Sequence, residues 1–358
     1  MLSEIQKKVQ NGVRLTRKEA EFLYLEAPMP VLSELATETK SRFHSTSEAS
    51  YLIMCIINYT NICVAKCDYC AFYKLPHQSG TYLLSYDQIQ DKINAVQKLG
   101  GTMVGFNGGF HPKLKLDHYA DIFSKVRKDY GEDIEFYGMT VAEFMFSCKL
   151  SKISYDSGAK LLKDNGSLWV TGGGAEILDD SFRMRHSPGK YKVADYYNAQ
   201  KAILDSGMGS TATMVIGFDE SMEERFNHLS SLRDFQEQNQ NGLQSFLCWT
   251  YKPYHTELGG GEISTDEYLR WLAVSRIYLD NIRHMRTSVL TKNEEALKGL
   301  LYGANDFDLP TEDEVTQKAG ATISIEFDRI LEACQNIGIK PVKRKPFKNH
   351  ATSIELDC

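Results

Sequence analysis

The sequence predicts an α/β fold, a (β/α) TIM-type barrel preceded by a helical extension, and three observations support this prediction. Short apolar runs alternate with amphipathic stretches from residue 51 onward, which is typical of parallel strands covered by helices. Seven or eight such units occupy about 290 residues, the size of one barrel. The chain of 358 residues contains neither a low-complexity segment nor a linker between two halves.

The first 50 residues are predicted to be helical, because LTRKEAEFLYL opens on a capping-box pattern formed by Thr16 and Glu19. Strands are predicted where short apolar runs are bounded by glycine or asparagine. They lie at residues 51–58, 102–106, 133–138, 167–171, 211–217 and 244–250, with a weaker run at 284–290. Helices are predicted from apolar spacings of three and four residues, with examples at 85–100, 117–131, 222–238 and 265–282. The barrel is therefore expected to span residues 51–345, between the extension (1–50) and a tail (346–358).

Composition excludes some classes of partner. The net charge is −6, from 41 basic and 47 acidic residues, whereas nucleic-acid binders usually carry a basic surface. The one basic run, KPVKRKPFK at 340–348, is expected to be a solvated tail. The N-terminus lacks an apolar signal core, and no apolar run approaches the ~20 residues of a membrane helix. A cytoplasmic protein with neither a nucleic-acid nor a membrane partner is expected.

Unusual residues cluster after the predicted strands, at the end of the barrel where function gathers in this architecture. Three cysteines follow the first strand. The segments after later strands are NGGFHP (107–112), GGGAEILDDSFR (172–183), GFDE (217–220), TYKPYHTEL (250–258) and, near the last unit, GANDFD (303–308).

The three cysteines, Cys63, Cys67 and Cys70, form a CxxxCxxC pattern. Disulfides are not expected in a reducing cytosol, so the cluster indicates metal binding or catalysis. Structural zinc usually takes four ligands, and no second CxxC or HxxxH stands nearby. Three thiolates fit a four-iron cluster better and leave one iron open to a small molecule. Zinc and incidental cysteines remain the alternatives.

A CxxxCxxC motif after the first strand of a barrel resembles the signature of the radical S-adenosylmethionine (SAM) superfamily. The resemblance implies a [4Fe-4S] cluster on the three cysteines, SAM on the open iron, and a flavodoxin- or ferredoxin-type electron donor. It also implies one-electron cleavage of SAM to a 5′-deoxyadenosyl radical, chemistry that belongs to the cofactor.

Further segments resemble the radical enzymes of the futalosine route to menaquinone and the subunits of the deazaflavin synthase. In order, they include NYTNIC, GGFHPKLKL, GGGAEILDD, WTYKP, YLRWLAVSRIYLDNI and GANDF, within residues 50–345. WTYKP and TATM favour the ring-closing enzyme of that route. The resemblance then implies a nucleoside-type substrate whose ribose 4′ hydrogen is removed before the sugar radical attacks a benzoate ring. Alternatives are a sibling enzyme, a divergent paralogue, or an iron–sulfur electron-transfer protein.

Six residues are candidates for the cofactor site by this resemblance, and two of them, Glu176 and Arg183, are described with the other charged candidates below. Tyr69 stands where the superfamily has an aromatic residue near the adenine, although a rim aromatic is the alternative. Gly108 and Gly109 match the glycine-rich turn after the second strand, where a missing Cβ lets the backbone approach a ligand. Asn107 precedes them where the family often has glutamine. A plain turn is the alternative for the glycines.

Charged candidates follow the second, third and fourth strands. Glu176 is a candidate for the ribose hydroxyls of SAM or of the substrate, with a surface carboxylate as the alternative. Arg183 is a cofactor-site candidate that could face a carboxylate, with a surface salt bridge as the alternative. Glu143 stands where the family has a glutamate after the third strand. His111 could transfer protons or cap its loop. Glu143 and His111 are the catalytic candidates.

The substrate candidates are two aromatic and two polar residues. Trp249 and Tyr251 could wall an aromatic substrate, although inward aromatics in barrels often only pack the core. Asn305 and Asp306 could bind a hydroxyl or shape a turn.

Departures from the family pattern lie in the same segments. Phe218 stands where a histidine is common, and the region usually written QASW reads RTSV at 286–289. Residues 307–314 (FDLPTEDE) replace the usual G.TMMEEN, and FYGMTVAEF (136–144) lacks the usual histidine and proline. These differences leave the radical chemistry intact and make the exact substrate the open question.

Overall fold

The computed structural model describes residues 1–240 and 242–344. Its centre is a closed barrel of eight parallel strands, so the predicted fold class is confirmed. β1 pairs with β2 on one side and with β8 on the other, which closes the barrel, and β9 adds to the start of β1. The strands are β1 (Glu48–Ile57), β2 (Met103–Phe106), β3 (Glu135–Thr140), β4 (Trp169–Thr171), β5 (Gly209–Ile216), β6 (Leu243–Thr250), β7 (His284–Thr287), β8 (Asp306–Pro310) and β9 (Lys340–Lys343).

Helices precede the barrel, surround it and follow it. Within the described residues they are α1 (Leu2–Gln10), α2 (Arg17–Glu26), α3 (Met29–Ser41), α4 (Tyr86–Lys98), α5 (Leu116–Tyr130), α6 (Val141–Ser151), α7 (Tyr155–Asp164), α8 (Asp180–His186), α9 (Val193–Asp205), α10 (Met222–Gln238), α11 (Thr265–Tyr278), α12 (Val289–Lys292), α13 (Glu314–Lys318) and α14 (Phe327–Asn336). A 3₁₀ segment, Asn293–Leu301, follows α12. None of the helices in the described part of the chain is both long and apolar enough to cross a membrane.

Side chains at the helix starts explain several boundaries. The predicted capping box of α2 is confirmed, because Thr16 accepts from the Glu19 amide and Glu19 accepts from the Thr16 amide. The same reciprocal pattern begins three more helices, at Ser85 and Gln88, Thr140 and Glu143, and Ser221 and Glu224.

The N-terminal extension packs against the outer helix layer. Leu23, Leu32 and Leu35 are buried in the same core as the barrel helices. Arg270 of α11 donates to the carbonyls of Tyr24 and Ala27, at 2.9 and 2.7 Å. These contacts fasten α2 and α3 to α11.

The C-terminal part differs from the prediction in three places. The strand predicted at 284–290 ends at Thr287, and a short helix follows. Residues expected on a rim loop form β8, whose two aspartates point toward arginines instead of solvent. The basic run does not begin as a tail, because its first four residues pair with β1 as β9. The predicted tail, 346–358, lies outside the described residues.

Two histidines meet at the N-terminal end of the barrel. The rings of His44 and His284 have centroids 4.7 Å apart. His44 Nε2 contacts the Arg283 carbonyl at 3.0 Å, and His284 Nδ1 lies 3.1 Å from Asn305 Nδ2. Burial lowers the pKa of His44 to about 4 and that of His284 well below its ordinary value, and the cations of Arg283 and Arg276 act in the same direction.

We expect this pair to make stability depend on pH. The folded state disfavours protonation of both rings. The contribution of this pair to the free energy of unfolding is therefore fully present above the ordinary pKa of 6.5, and it is lost as pH falls from there toward about 4. Lys40 and Arg344 also repel the protonated rings. Urea denaturation at about pH 7.5 and about pH 5 measures the loss, which His44→Gln should reduce. His77→Gln, at an exposed position, is the control. Identical losses for wild type and His44→Gln would contradict the assignment.

Candidate active site

A cavity of about 340 Å³ opens at the carboxyl ends of the strands. Its lining brings together most of the residues predicted for the site. These are Cys63, Cys67, Tyr69, Cys70, Asn107, Gly108, Gly109, Glu143, Glu176, Trp249 and Tyr251. His111, Arg183, Asn305 and Asp306 do not line it. The position agrees with the rule that function in this fold lies on the loops after the strands.

The cysteine loop follows β1 directly and is shaped by its own backbone. The Cys63 amide donates to the Lys74 carbonyl at 2.9 Å, and the Cys70 amide donates to the Cys67 carbonyl at 3.2 Å. Lys66 adopts a left-handed conformation with φ 53°, which turns the chain between the first two cysteines. Burial raises the pKa of the Cys70 thiol to about 12 and raises that of Cys67. Positive charge is therefore needed at this loop before the thiols become thiolates.

The donor set fits an iron–sulfur cluster. In residues 1–240 and 242–344, no three His, Cys, Asp or Glu side chains lie close enough to hold a single metal ion. Zinc needs such convergence, whereas a four-iron cluster is larger and takes its thiolates on different iron atoms. The three cysteines line one cavity, together with Tyr69, Gly108 and Gly109, which are predicted for the cofactor.

The glycine turn packs under the cysteine loop. A Cβ on Gly108 would lie 2.6 Å from the Tyr59 ring. A Cβ on Gly109 would overlap the Ile62 carbonyl oxygen and lie 2.7 Å from Cys63 Cβ. The Gly109 amide also donates to the Thr60 carbonyl at 3.1 Å. Glycine is required here so that the turn can support the first cysteine while lining the cavity.

Glu143 joins this turn to the start of α6. One carboxylate oxygen accepts from the Gly108 amide at 2.7 Å and from the Tyr59 hydroxyl. The other accepts from the Thr140 amide at 3.0 Å and from the Thr140 hydroxyl. Burial raises the pKa of Glu143, although these hydrogen bonds act in the opposite direction. Both oxygens are occupied, so the geometry gives Glu143 a positioning role and leaves it no free acceptor for a substrate proton.

Lys190 forms a buried polar cluster with Glu176 and Tyr69. Its ammonium donates to both Glu176 oxygens, at 3.2 and 3.3 Å, and to the Tyr69 hydroxyl at 3.2 Å. Burial lowers the pKa of Lys190, but the charges of Cys67 and Glu176 outweigh burial and raise it well above its ordinary value. Glu176 itself has φ 43°, a conformation rare for a side-chain-bearing residue and common at functional sites.

Arg183 supports this cluster from behind and does not reach the cavity. It donates to the carbonyls of Ala175 and Tyr191, at 2.8 and 3.1 Å, and lies 3.9 Å from Glu176. Its guanidinium also stacks on the Tyr191 ring at 4.2 Å. Arg183 therefore does not form a surface salt bridge, which was the alternative interpretation, and it does not line the cavity.

An aromatic wall stands opposite the glycine turn. The Phe218 ring lies 5.2 Å from Tyr69 and 4.5 Å from Tyr251, centroid to centroid. Trp249, at the end of β6, also lines the cavity. Phenylalanine at 218 makes this wall apolar at a position where the family commonly has a histidine.

Besides Arg183, three predicted residues lie away from the cavity. His111 is half-buried and its Nδ1 accepts from the Lys113 amide at 3.2 Å, which is a loop contact. Asn305 lies at the N-terminal end of β8 and accepts from the Met285 amide at 2.9 Å. Asp306 lies beside it and accepts from the Ser50 hydroxyl at 3.0 Å. The interpretation of Asn305 and Asp306 as rim residues was wrong because the segment containing them enters a strand instead of leaving one.

The prediction missed several polar residues of the lining. The charged ones are Lys190, Lys252, Arg286, Asp308 and Asp313, and Thr211 and Thr213 lie on β5. The two threonines could have been found, since TATMV alternates with a period of two and threonine falls at both inward positions. Lys190 stands in SPGK (187–190), a segment that shares the family resemblance, but nothing in that segment assigned it a role.

Comparison with known proteins gives two family matches. The model of the radical SAM superfamily matches residues 57–232, and the model of the CofH/MqnC C-terminal region matches residues 240–354. Together they cover the cysteine loop and the strands from β2 to β9.

Similar proteins agree with these matches. The chain is 33% identical over 337 residues to a cyclic dehypoxanthine futalosine synthase of Halalkalibacterium halodurans, covering 93% of this chain and 90% of that protein. It is 29% identical to an aminodeoxyfutalosine synthase of Thermus thermophilus, covering 89% and 87% respectively. The crystal structure of methylornithine synthase shares the fold, with a TM-score of 0.73, 16% identity, and coverage of 94% and 97%.

These matches extend over both the cysteine loop and the later strands that complete the cavity. Radical SAM enzymes as a superfamily work with a 4Fe-4S cluster and SAM, and they act on small molecules with the help of a reductant. The chain belongs to the radical SAM superfamily and, within it, to the group of futalosine-pathway and CofH enzymes that share this C-terminal region.

Proposed function

We propose that this enzyme is a cyclic dehypoxanthine futalosine synthase, which converts dehypoxanthine futalosine to its cyclic product in menaquinone biosynthesis. The observation that carries the proposal is the similarity to the H. halodurans enzyme along 93% of the chain. The cavity supports it, since the three cysteines line the same space as the aromatic and polar side chains that suit such a substrate.

Cys63, Cys67 and Cys70 would hold the cluster, and the cofactor would lie against Tyr69, Gly108 and Gly109. When bound, the cluster and SAM supply a 5′-deoxyadenosyl radical for hydrogen abstraction from the ribose 4′ carbon. The chain itself orients the reacting groups and excludes water from them.

The remaining lining suits the parts of this substrate. Aromatic side chains at Trp249, Tyr251 and Phe218 offer faces for the benzoate ring. The hydroxyls of Thr211 and Thr213, on adjacent inward positions of β5, suit the ribose. Lys190 holds Glu176 and Tyr69 together by hydrogen bonds, and in this proposal Tyr69 would stand between cofactor and substrate.

A sibling reaction is the second candidate. The T. thermophilus aminodeoxyfutalosine synthase is nearly as similar to this chain, and Phe218 changes the cavity wall at a position where the family commonly has a histidine. In that reaction adenine would remain in the product. We also propose a flavodoxin- or ferredoxin-type reductant, because the chemistry requires a low-potential electron. A cytoplasmic location is part of the same proposal.

The proposal is tested anaerobically. The cluster is reconstituted and reduced, SAM and dehypoxanthine futalosine are added, and products are followed by mass spectrometry. We expect 5′-deoxyadenosine together with a substrate that has lost two hydrogens. Cleavage of SAM without a change in this substrate would overturn the cyclase assignment. A parallel assay replaces dehypoxanthine futalosine with an enolpyruvyl benzoate, and an adduct of the adenosyl group with that compound, formed without free 5′-deoxyadenosine, would establish the sibling reaction. A loaded cluster that never cleaves SAM would contradict enzymatic radical chemistry altogether.

A further inference from the structure

Four charged residues form a layer across the interior of the barrel. Arg286 of β7 contacts Asp308 of β8 through Nη2, and its Nε lies 3.6 Å from Asp306 Oδ2. Arg344, which follows β9, lies 3.1 Å from Asp306 and 3.5 Å from Asp308. The strand register produces this layer, because Arg286 is directly beside Asp306 in the β7–β8 ladder.

Only part of the layer faces the cavity. Arg286 and Asp308 line it, whereas Asp306 and Arg344 do not. The side chains of Arg286 and Asp308 are 7% and 16% exposed, so any solvent they meet is that of the cavity floor. Two guanidinium groups thus share two carboxylates. One guanidinium, that of Arg286, and one carboxylate, that of Asp308, face the cavity where a ligand would bind.

The charges in the layer already balance, two positive against two negative. A carboxylate entering here would leave three buried negative charges against two positive ones, which is costly away from water. A neutral group would disturb nothing. Arg286 and Asp308 both line the cavity, so a ligand there meets a group that donates hydrogen bonds beside a group that accepts them.

We propose that Arg286 and Asp308 form a specificity subsite that binds a neutral hydroxyl-bearing group, such as a sugar, at the floor of the cavity. A hydroxyl matches the pair because its oxygen accepts from the guanidinium while its hydrogen is donated to the carboxylate. This inference rests on the proposed function and adds an orientation to it: the ribose lies deep, toward Thr211 and Thr213, and the benzoate carboxylate lies toward the mouth.

The chain offers a matched control. Arg286→Gln and Arg344→Gln each remove one guanidinium from the same two aspartates, so both should lower the melting temperature by several degrees. Only Arg286→Gln removes a cavity group. We expect it to raise KM for dehypoxanthine futalosine about tenfold, as for the loss of one charge-assisted hydrogen bond, while Arg344→Gln leaves KM unchanged. Iron content should be equal in the two variants and wild type.

Asp308→Asn separates a hydroxyl from a carboxylate ligand. If the subsite binds a hydroxyl, Asp308→Asn weakens the group that accepts the hydroxyl hydrogen, and KM rises. If the subsite binds a carboxylate, the same variant frees Arg286 to pair with that anion, and KM falls. A lower KM would overturn the inference.

Binding of fragments keeps the test independent of turnover. Ligand-observed NMR with the cluster-loaded protein measures methyl ribofuranoside and benzoate separately. The subsite is supported if the riboside binds to wild type and Arg344→Gln but not to Arg286→Gln. This result would stand even if wild type did not turn over dehypoxanthine futalosine, and only the proposed function would then fail. Equal loss in Arg344→Gln, or loss of benzoate with riboside retained, would overturn it.

Discussion

Replacing Cys63, Cys67 or Cys70 by serine is expected to abolish both cluster loading and SAM cleavage. Each thiol lines the same cavity, and a three-cysteine set has no spare ligand for the cluster. The loss should be complete for each single variant, because serine is a poor thiolate substitute at a buried position. Iron analysis and the visible absorbance of the reconstituted protein measure loading, and 5′-deoxyadenosine formation measures cleavage.

Cys148→Ala is the matched control for these variants. Cys148 is fully buried between α6 and Gly158 of α7, away from the cavity lining. Its removal should cost about 1 kcal/mol or more of stability by leaving a small void, with iron content unchanged. A Cys70→Ser protein that still carried its full iron content would contradict the ligand assignment.

Gly109→Ala is expected to disable the site without touching a cofactor. The new methyl group would overlap the Ile62 carbonyl and press on Cys63 Cβ, both of them parts of the cysteine loop. Backbone cannot yield as a flexible side chain can, so the loop must shift, at a cost of about 1–3 kcal/mol. Since ligation depends on placement within about 0.5 Å, we expect cluster loading and SAM cleavage to fall at least tenfold.

Gly261→Ala provides the comparison. A Cβ at this position would meet nothing within 4 Å, and its backbone does not require glycine. Loading, cleavage and melting temperature should match those of wild type. Normal cluster content in Gly109→Ala would show that the turn tolerates a side chain and that its glycines serve another purpose.

Strand and helix periodicity predicted the barrel well, because most strands are apolar runs enclosed on both faces. β8 was not predicted because its interior-facing residues are aspartates, which are typical of loops. In the folded barrel, arginines on β7 and beyond β9 lie beside these aspartates and pair with them. No local pattern shows such a pairing across the barrel. For the same reason Asn305 and Asp306 were assigned to the wrong end of a strand.

The site divides in a similar way. The cysteines, Tyr69 and the glycine pair follow strands directly, so the rule for barrel loops places them at the cavity. Glu143 was identified as important, but its role depends on four donors from three separate segments, which no spacing in the sequence shows. Lys190 was missed because its partners, Glu176 and Tyr69, come together only in the folded barrel.

The pairing of β1 has a consequence for biosynthesis. β1 carries the cysteine loop at its end, yet two of its three neighbours, β8 and β9, are the last strands to leave the ribosome. The contact between Ser50 and Asp306 bridges 256 residues of sequence, and contacts of such separation form slowly. An unfinished chain would present its thiols on a strand supported on one side only. We therefore expect iron–sulfur assembly on this chain to follow translation, with the free thiols protected from oxidation until the barrel closes.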